Sequence, residues 1–311
     1  MKKMSETIVF FGSGPVAAQS LELLAQSFMI EAVITKPRAA HHRGPVPVLE
    51  VAERLSLPTI EVNGKEDLST KVATTKLKSS VAVLIDFGII VGQDVIDTFP
   101  LGIVNSHFSL LPQWRGADPI TFAILSGQKV TGVSLMLLVQ KMDEGPLLAQ
   151  ADYDIEPDET TPSLTDNLIQ LSYSMLCEVL PVYVAGSIQP VPQEVVATES
   201  PSPLQVSYSR KLTKNDGMLD WHKPAVVLER EVRAFHGWPK SRTELAGQQV
   251  VITKAHVEAA NSQPGTLTVS ARSLAVGTQH DALAIDALIP AGKKEMPIAA
   301  YLAGYGQKLR Q

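Results

Sequence analysis

TIVFFGSGPVAAQSLELLAQSFMIEAVIT, residues 7–35, reads as strand, glycine turn, helix and strand in succession. TIVFFG (7–12) is a short apolar run closed by glycine, and MIEAVIT (29–35) is a second run of strand type. Between them, AAQSLELLAQSF (17–28) sets Ala18, Leu21, Leu24 and Ala25 on one helical face. A helical crossover of this kind joins parallel strands, and it does so right-handedly. The alternation continues. VPVLEVAERLSL (46–57) reads as a helix with Leu49, Ala52 and Leu55 inward, and PTIEV (58–62) follows as a strand. VAVLIDFG (81–88), GIVNSH (102–107), TGVSLMLLV (131–139) and LLAQADYDI (147–155) are further strand-like runs. Runs this apolar suit a sheet covered by helices on both faces. The expected fold class is α/β: a doubly wound, mostly parallel, Rossmann-like sheet that binds its ligands outside the carboxyl ends of its strands.

SLTDNLIQLSYSMLCEVLPVYVAG (163–186) reads as a long helix opened by Thr161-Pro162-Ser163, with Asp166 three residues beyond Ser163. Cys177 lies on it among Leu171, Met175 and Leu180 and reads as a core residue rather than a reactive thiol. SIQPVPQEVVATESPSPLQ (187–205) has four prolines and no helical period, which reads as a linker. AVVLEREVRAF (225–235) is helical in pattern. VVITKAHV (250–257), GTLTVSA (265–271) and SLAVGTQHDALAIDALIPAG (273–292) are short β-prone runs, as in a small β-barrel of OB-like type. The expected domains are residues 1–187, a linker 188–205 and a second domain 206–311.

With 311 residues, 45% hydrophobic and 19% charged, the composition is that of a soluble globular protein. No 18-residue apolar run and no leader-like core stand in the sequence, so a cytoplasmic protein without a membrane span is expected. A single cysteine excludes intrachain disulfides and cysteine-based zinc clusters. Charge is uneven. Residues 1–204 hold 13 basic and 23 acidic side chains, while residues 205–311 hold 14 and 9. A basic back end on an acidic chain suggests an anionic partner there, with nucleic acid the leading candidate.

Gly12-Ser13-Gly14-Pro15 resembles a dinucleotide fingerprint only in part, because Ala17 stands where the third glycine belongs. Thr35-Lys36 also replaces the acidic residue expected after the second strand, which argues against a nicotinamide-dependent oxidoreductase. IVNSHFSLLPQWRG (103–116) carries more chemistry. Asn105 and His107, two apart at a strand end, emerge on one face. An amide donor beside an imidazole can stabilise an oxyanion and move protons. Asp143, in the tight QKMDEGP loop (140–146), can supply a carboxylate to that imidazole, although spacing alone does not separate it from Glu144.

The N-x-H-x-S-L-L-P-x-W-R-G block resembles the signature of the folate-dependent formyltransferases, and the chain is similar to the methionyl-tRNA formyltransferases over nearly its full length. SYSRKLTKNDGMLDW (207–221), RAFHGWP (233–239) and PAGKKEM (290–296) match the carboxyl-terminal domain of the tRNA enzymes, which glycinamide ribonucleotide formyltransferases lack. The resemblance implies a catalytic trio of Asn105, His107 and Asp143. It implies that 10-formyltetrahydrofolate, as co-substrate, is bound by Ser109, Leu110, Leu111 and Pro112 and bordered by Asp86, Phe87 and Gly88. It implies initiator methionyl-tRNA as acceptor, met by Lys36, Arg38, Arg43, Lys211, Lys293 and Lys294. A monomer without bound metal is expected, since His41 and His42 lack further ligands at suitable spacing. The alternatives are another formyltetrahydrofolate-dependent transferase or hydrolase acting on a small amine or water, or a catalytically silent RNA-binding paralogue.

One stretch departs from the family. TKPRAAHHRGPVPVLE (35–50) is several residues shorter than the family's basic loop and lacks its lysine pair. A loop that grips an acceptor stem needs reach and cationic density. Discrimination between initiator and elongator methionyl-tRNA is therefore expected to be weaker than the family pattern, and Arg43→Ala should reduce what remains. The measurement is kcat/KM for the two charged tRNAs with and without the substitution; strong selectivity indifferent to Arg43→Ala contradicts the expectation.

Overall fold

The computed structural model describes residues 6–38, 44, 46–199, 204–245 and 247–309. His41, His42 and Arg43 lie outside the described residues. The chain divides into two compact units: Met1–Gly116, Val130–Asp154 and Thr165–Ser209 form one; Ala117–Lys129, Ile155–Leu164 and Arg210–Gln311 form the other.

In the first unit β1 (Thr7–Phe11), α1 (Pro15–Ser27), β2 (Met29–Thr35), α2 (Pro47–Arg54) and β3 (Thr59–Glu61) follow the expected alternation. α3 (Lys65–Thr74), β4 (Ala82–Leu84), α4 (Gln93–Ile96) and β5 (Ile103–His107) continue it, α3 and α4 being helices that the sequence pattern does not predict. After β6 (Arg115–Gly116) and α5 (Pro119–Ser126) come β7 (Val130–Leu137), β8 (Leu147–Asp154), α6 (Thr161–Val184), α7 (Gln193–Glu199) and β9 (Tyr208–Ser209). The seven-stranded sheet has the order β3-β2-β1-β4-β5-β7-β8. Strands β1 to β5 pair in parallel. Strand β7 then turns antiparallel on β5, and β8 antiparallel on β7. Strand order reverses between β1 and β4, the place where such sheets open a crevice. There the Ser13 and Gly14 N–H groups donate to the Asp86 carbonyl at 3.0 and 3.4 Å. A Cβ on Gly12 would lie 2.5 Å from the Ala17 Cβ and 2.9 Å from the Ile85 carbonyl oxygen. Close packing of turn, helix and strand thus accounts for that glycine without a dinucleotide.

Two expectations are corrected. Helix α2 buries Val48, Val51 and Ala52, while Leu49 and Leu55 are only half-buried. Val48, Val51 and Ala52 stand at i, i+3 and i+4, and Leu49 is turned about 100° away from Val48. The stretch 187–205 contains helix α7, whose seven residues are too few to show a period and whose first turn follows Pro192. Its first residue, Gln193, is 1% exposed.

The second unit is built on an antiparallel half-barrel. α8 (Ala225–Ala234) precedes β10 (Ser241–Leu245), β11 (Gln248–Glu258), β12 (Leu267–Val269), β13 (Leu274–Gly277), β14 (Ala282–Pro290), β15 (Met296–Pro297) and α9 (Ile298–Tyr305). The strand order is β10-β11-β14-β13-β12, with β15 pairing on β14. Leu228 and Val232 of α8 and Tyr301 and Leu302 of α9 share a core with Val250, Ile252, Leu283 and Ile285. Helix α5 belongs to this unit and packs on α8. Among the described residues no helix is long and apolar enough to cross a membrane.

The core of the first unit reaches the crevice through its aromatic rings. Phe11, fully buried at the end of β1, meets Phe87 edge-on at 5.5 Å and Phe99 at 5.9 Å. Truncating such a ring leaves a cavity the neighbours only partly fill. Phe11→Ala should lower unfolding free energy by about 3–5 kcal/mol in a denaturant titration. A midpoint unchanged from wild type contradicts this placement of the core.

Candidate active site

Strand β5 is buried along its whole length and ends in Asn105-Ser106-His107. The pleat sends Asn105 and His107 to the same face. Strand β7 fixes their height: Asn105 stands opposite Met136, and His107 opposite Ser134. Both side chains are largely buried, each residue 7% exposed.

The imidazole of His107 is held from two sides. Its Nε2 lies 3.0 Å from the Trp114 carbonyl oxygen. A carbonyl can only accept, so Nε2 carries the proton. Its Nδ1 faces the Asp143 Oδ1 at 3.9 Å. The other carboxylate oxygen of Asp143 accepts the Gly116 N–H at 2.7 Å. Asp143 adopts a left-handed backbone, φ +53°, which turns its side chain back toward the strand end. Glu144 goes elsewhere, its Oε1 lying 3.5 Å from the Arg115 Nη1. The structure therefore brings Asp143, and not Glu144, to His107.

The loop after β5 is pinned by a serine on β7. Ser134 Oγ donates to the Ser109 carbonyl at 2.6 Å and accepts the Leu111 N–H at 3.0 Å. The Gln150 amide of β8 donates both to that hydroxyl and to the Leu111 carbonyl, at 2.8 Å each. Ser109, Leu111 and Pro112 are buried, and Ser109 Oγ is engaged with the Gln113 carbonyl at 2.6 Å. Leu110 is half-buried. At the β1–β4 crevice Phe87 is buried, while Asp86 and Gly88 are exposed. Lys36 reaches the same loop, its Nζ donating to the Gly88 carbonyl at 3.0 Å. Arg38 is exposed and donates to the Gly44 carbonyl at 2.9 Å. In the second unit Lys211, Lys293 and Lys294 are exposed. Among the described residues no three His, Cys, Asp or Glu side chains converge as a metal site would require.

The Formyl transferase family profile matches residues 7–180, and the profile of the formyl transferase C-terminal domain matches residues 211–306. The chain belongs to the formyl transferase family. It is 37% identical over 310 residues to the methionyl-tRNA formyltransferase of Roseiflexus castenholzii, covering 97% of this chain and 96% of that one. It is 35% identical over 303 residues to the same-named protein of Nitrosococcus oceani, covering 95% and 92%. Among solved structures, an N-formyltransferase of Helicobacter canadensis superposes with a TM-score of 0.66 at 16% identity, covering 94% of this chain and all of that one. HypX of Aquifex aeolicus, crystallised with tetrahydrofolic acid, gives 0.63 at 16% identity and covers 96% of this chain and 47% of HypX. At that identity the two structures speak for the shared fold alone.

Within this formyl transferase, sequence reasoning missed several groups that shape the site. The carbonyl of Trp114 and the N–H of Gly116 are backbone groups, which no side-chain pattern announces. Ser134 and Gln150 are polar residues on strands read as apolar. Gln193 lies in a stretch read as a linker. The one available signal was the short span from Trp114 to Gly116 within the same block as Asn105 and His107.

Proposed function

We propose that this protein transfers the formyl group of 10-formyltetrahydrofolate to the α-amine of methionyl-tRNA, the initiator species, for translation initiation. The carrying observation is the convergence of Asn105, His107 and Asp143 at the end of β5, with His107 held between Asp143 Oδ1 at 3.9 Å and the Trp114 carbonyl at 3.0 Å. The names borne by full-length relatives support the choice of acceptor.

The crevice suits a folate by its chemistry. Asp86 offers an exposed carboxylate, which can accept from the amino and ring N–H groups of a pteridine. Ile90, 72% exposed, adds an apolar surface to the same loop. Gly88 contributes backbone without a side chain. Ser109, Leu111, Pro112 and Phe87 serve from beneath, as buried packing that fixes the loops, and half-buried Leu110 stands at the edge.

In the reaction, the α-nitrogen forms a bond to the formyl carbon and the bond from that carbon to the folate nitrogen breaks. The proton lost by the amine ends on the folate nitrogen. Asn105 donates to the oxygen that becomes anionic on attack, and the Nε2–H of His107 joins it by exchanging the Trp114 carbonyl for that oxygen. Asp143 faces Nδ1, so a proton taken up there gains a carboxylate partner, and the imidazole relays it. Lys211, Lys293 and Lys294, with Arg38 and Arg43, meet phosphates of the acceptor RNA.

Two measurements test this reading. His107→Ala and Asp143→Asn should each cut single-turnover formylation of initiator methionyl-tRNA by roughly 10²–10⁴-fold, with tRNA affinity little changed. Rates near wild type in an acid-gel assay would remove both residues from the mechanism. If residues 205–311 neutralise phosphates, log affinity for tRNA should fall with log salt by about 0.7–0.9 per contact. Replacing Lys211, Lys293 and Lys294 together by Gln should flatten that slope, and an affinity indifferent to salt defeats the assignment.

A further inference from the structure

Trp114, Arg115 and Gly116 each touch a different part of the site. The Trp114 carbonyl accepts from His107 Nε2, and the Gly116 N–H donates to the Asp143 carboxylate. Arg115 lies between them and is 5% exposed. A guanidinium so buried is costly unless its donors find acceptors. It finds Gln193, whose Oε1 accepts from Arg115 Nε at 3.2 Å and from Nη2 at 2.7 Å. Gln193 turns its amide nitrogen to the opposite side. Its Nε2 donates to the Asp143 carbonyl at 2.7 Å and to the Gly145 carbonyl at 2.8 Å. One buried amide thus ties the arginine of the 114–116 segment to the backbone of the Asp143 loop.

The segment carrying Gln193 is fastened to the same loop independently. Val191 and Leu147 exchange backbone hydrogen bonds at 2.7 and 2.8 Å. Gly145 itself crosses so close to β7 that a Cβ there would lie 1.7 Å from the Leu137 carbonyl oxygen. The Asp143 loop therefore rests on β7 at one end and hangs from Gln193 and Gly116 at the other.

We propose that Gln193 and Arg115 are positioning residues for formyl transfer, a clamp that holds Asp143 at the imidazole of His107. Neither touches the reacting atoms; both act through Asp143. The inference rests on the catalytic reading of Asp143 given above. Near-attack geometry is sensitive to displacements of about 1 Å, which cost on the order of 10²-fold in rate.

Gln193→Glu keeps an oxygen for Arg115 and removes both N–H groups from the loop carbonyls, and Arg115→Met, which adds no carboxylate beside the loop, is measured with it. The clamp predicts kcat lower by about 10–100-fold. It also predicts KM for tRNA and for formylfolate within about twofold of wild type, so that the loss falls on kcat alone. Thermal melting serves as the folding control for both, and Arg115→Met alone carries the test if Gln193→Glu does not fold. A merely structural role moves the melting temperature and leaves kcat at its wild-type value. Asp143→Asn is run beside them. An active Asp143→Asn enzyme removes the catalytic reading and the clamp with it. An inactive Asp143→Asn beside a Gln193→Glu enzyme with wild-type kcat overturns the clamp alone.

Discussion

The antiparallel turn of β7 on β5 is the constraint from which the site's construction follows. In a parallel neighbour, the loop leaving the strand emerges beside the end of β5, where Asn105 and His107 stand. Strand β7 instead puts Leu137, its last residue, opposite Val104, while Ser134 lies opposite His107. Three residues of strand amount to about 10 Å, and the loop must recover that distance for Asp143 to reach the imidazole. It does so by folding back tightly, at a glycine where no side chain fits and an aspartate in the left-handed region. A loop bent in this way carries backbone groups that β7 cannot satisfy. Gln193 takes up the carbonyls of Asp143 and Gly145, and the Gly116 N–H holds the Asp143 carboxylate.

The reversal of strand order between β1 and β4 makes the neighbouring crevice, and its packing is tied to the core more than to any ligand. Gly12 allows the first turn to lie against the Ile85 carbonyl, and Gly14 leaves room for the Asp86 carboxylate. Phe87 points inward to Phe11, so the next residues along the chain stay at the surface. The loop can thus present Asp86 and Gly88 to a ligand because its middle residue is anchored in the core. The loop after β5 is built differently, with Ser109, Leu111 and Pro112 buried and Leu110 half-buried.

How much of this was legible follows from range. Strands β1, β2, β4, β5, β7 and β8 and helices α1 and α6 stand where their apolar patterns put them, because those patterns are local and long enough to count. The face of α2 was misjudged, since leucine outweighs valine and alanine in a pattern but not in a narrow interface. Helices α3 and α7 were not read: α3 buries only Leu68 and Val72, and α7 hides among prolines. Asn105 and His107 could be placed by strand period. Asp143 could not, because its approach depends on a strand direction and a folded-back loop. Gln193 is 50 residues from the carbonyl it holds, and no local pattern marks such a bond.

The basic loop at 35–50 shows how the fold constrains recognition. Of its cations, Lys36 is not available in the same way as Arg38. Strand β2 delivers Lys36 to the carboxyl end of the sheet, and its ammonium settles on the Gly88 carbonyl at 3.0 Å. A lysine so engaged must give up that bond before it meets a phosphate, whereas Arg38 has further donors on an exposed guanidinium. Lys36 therefore belongs first to the crevice, bracing the loop that carries Asp86 and Gly88.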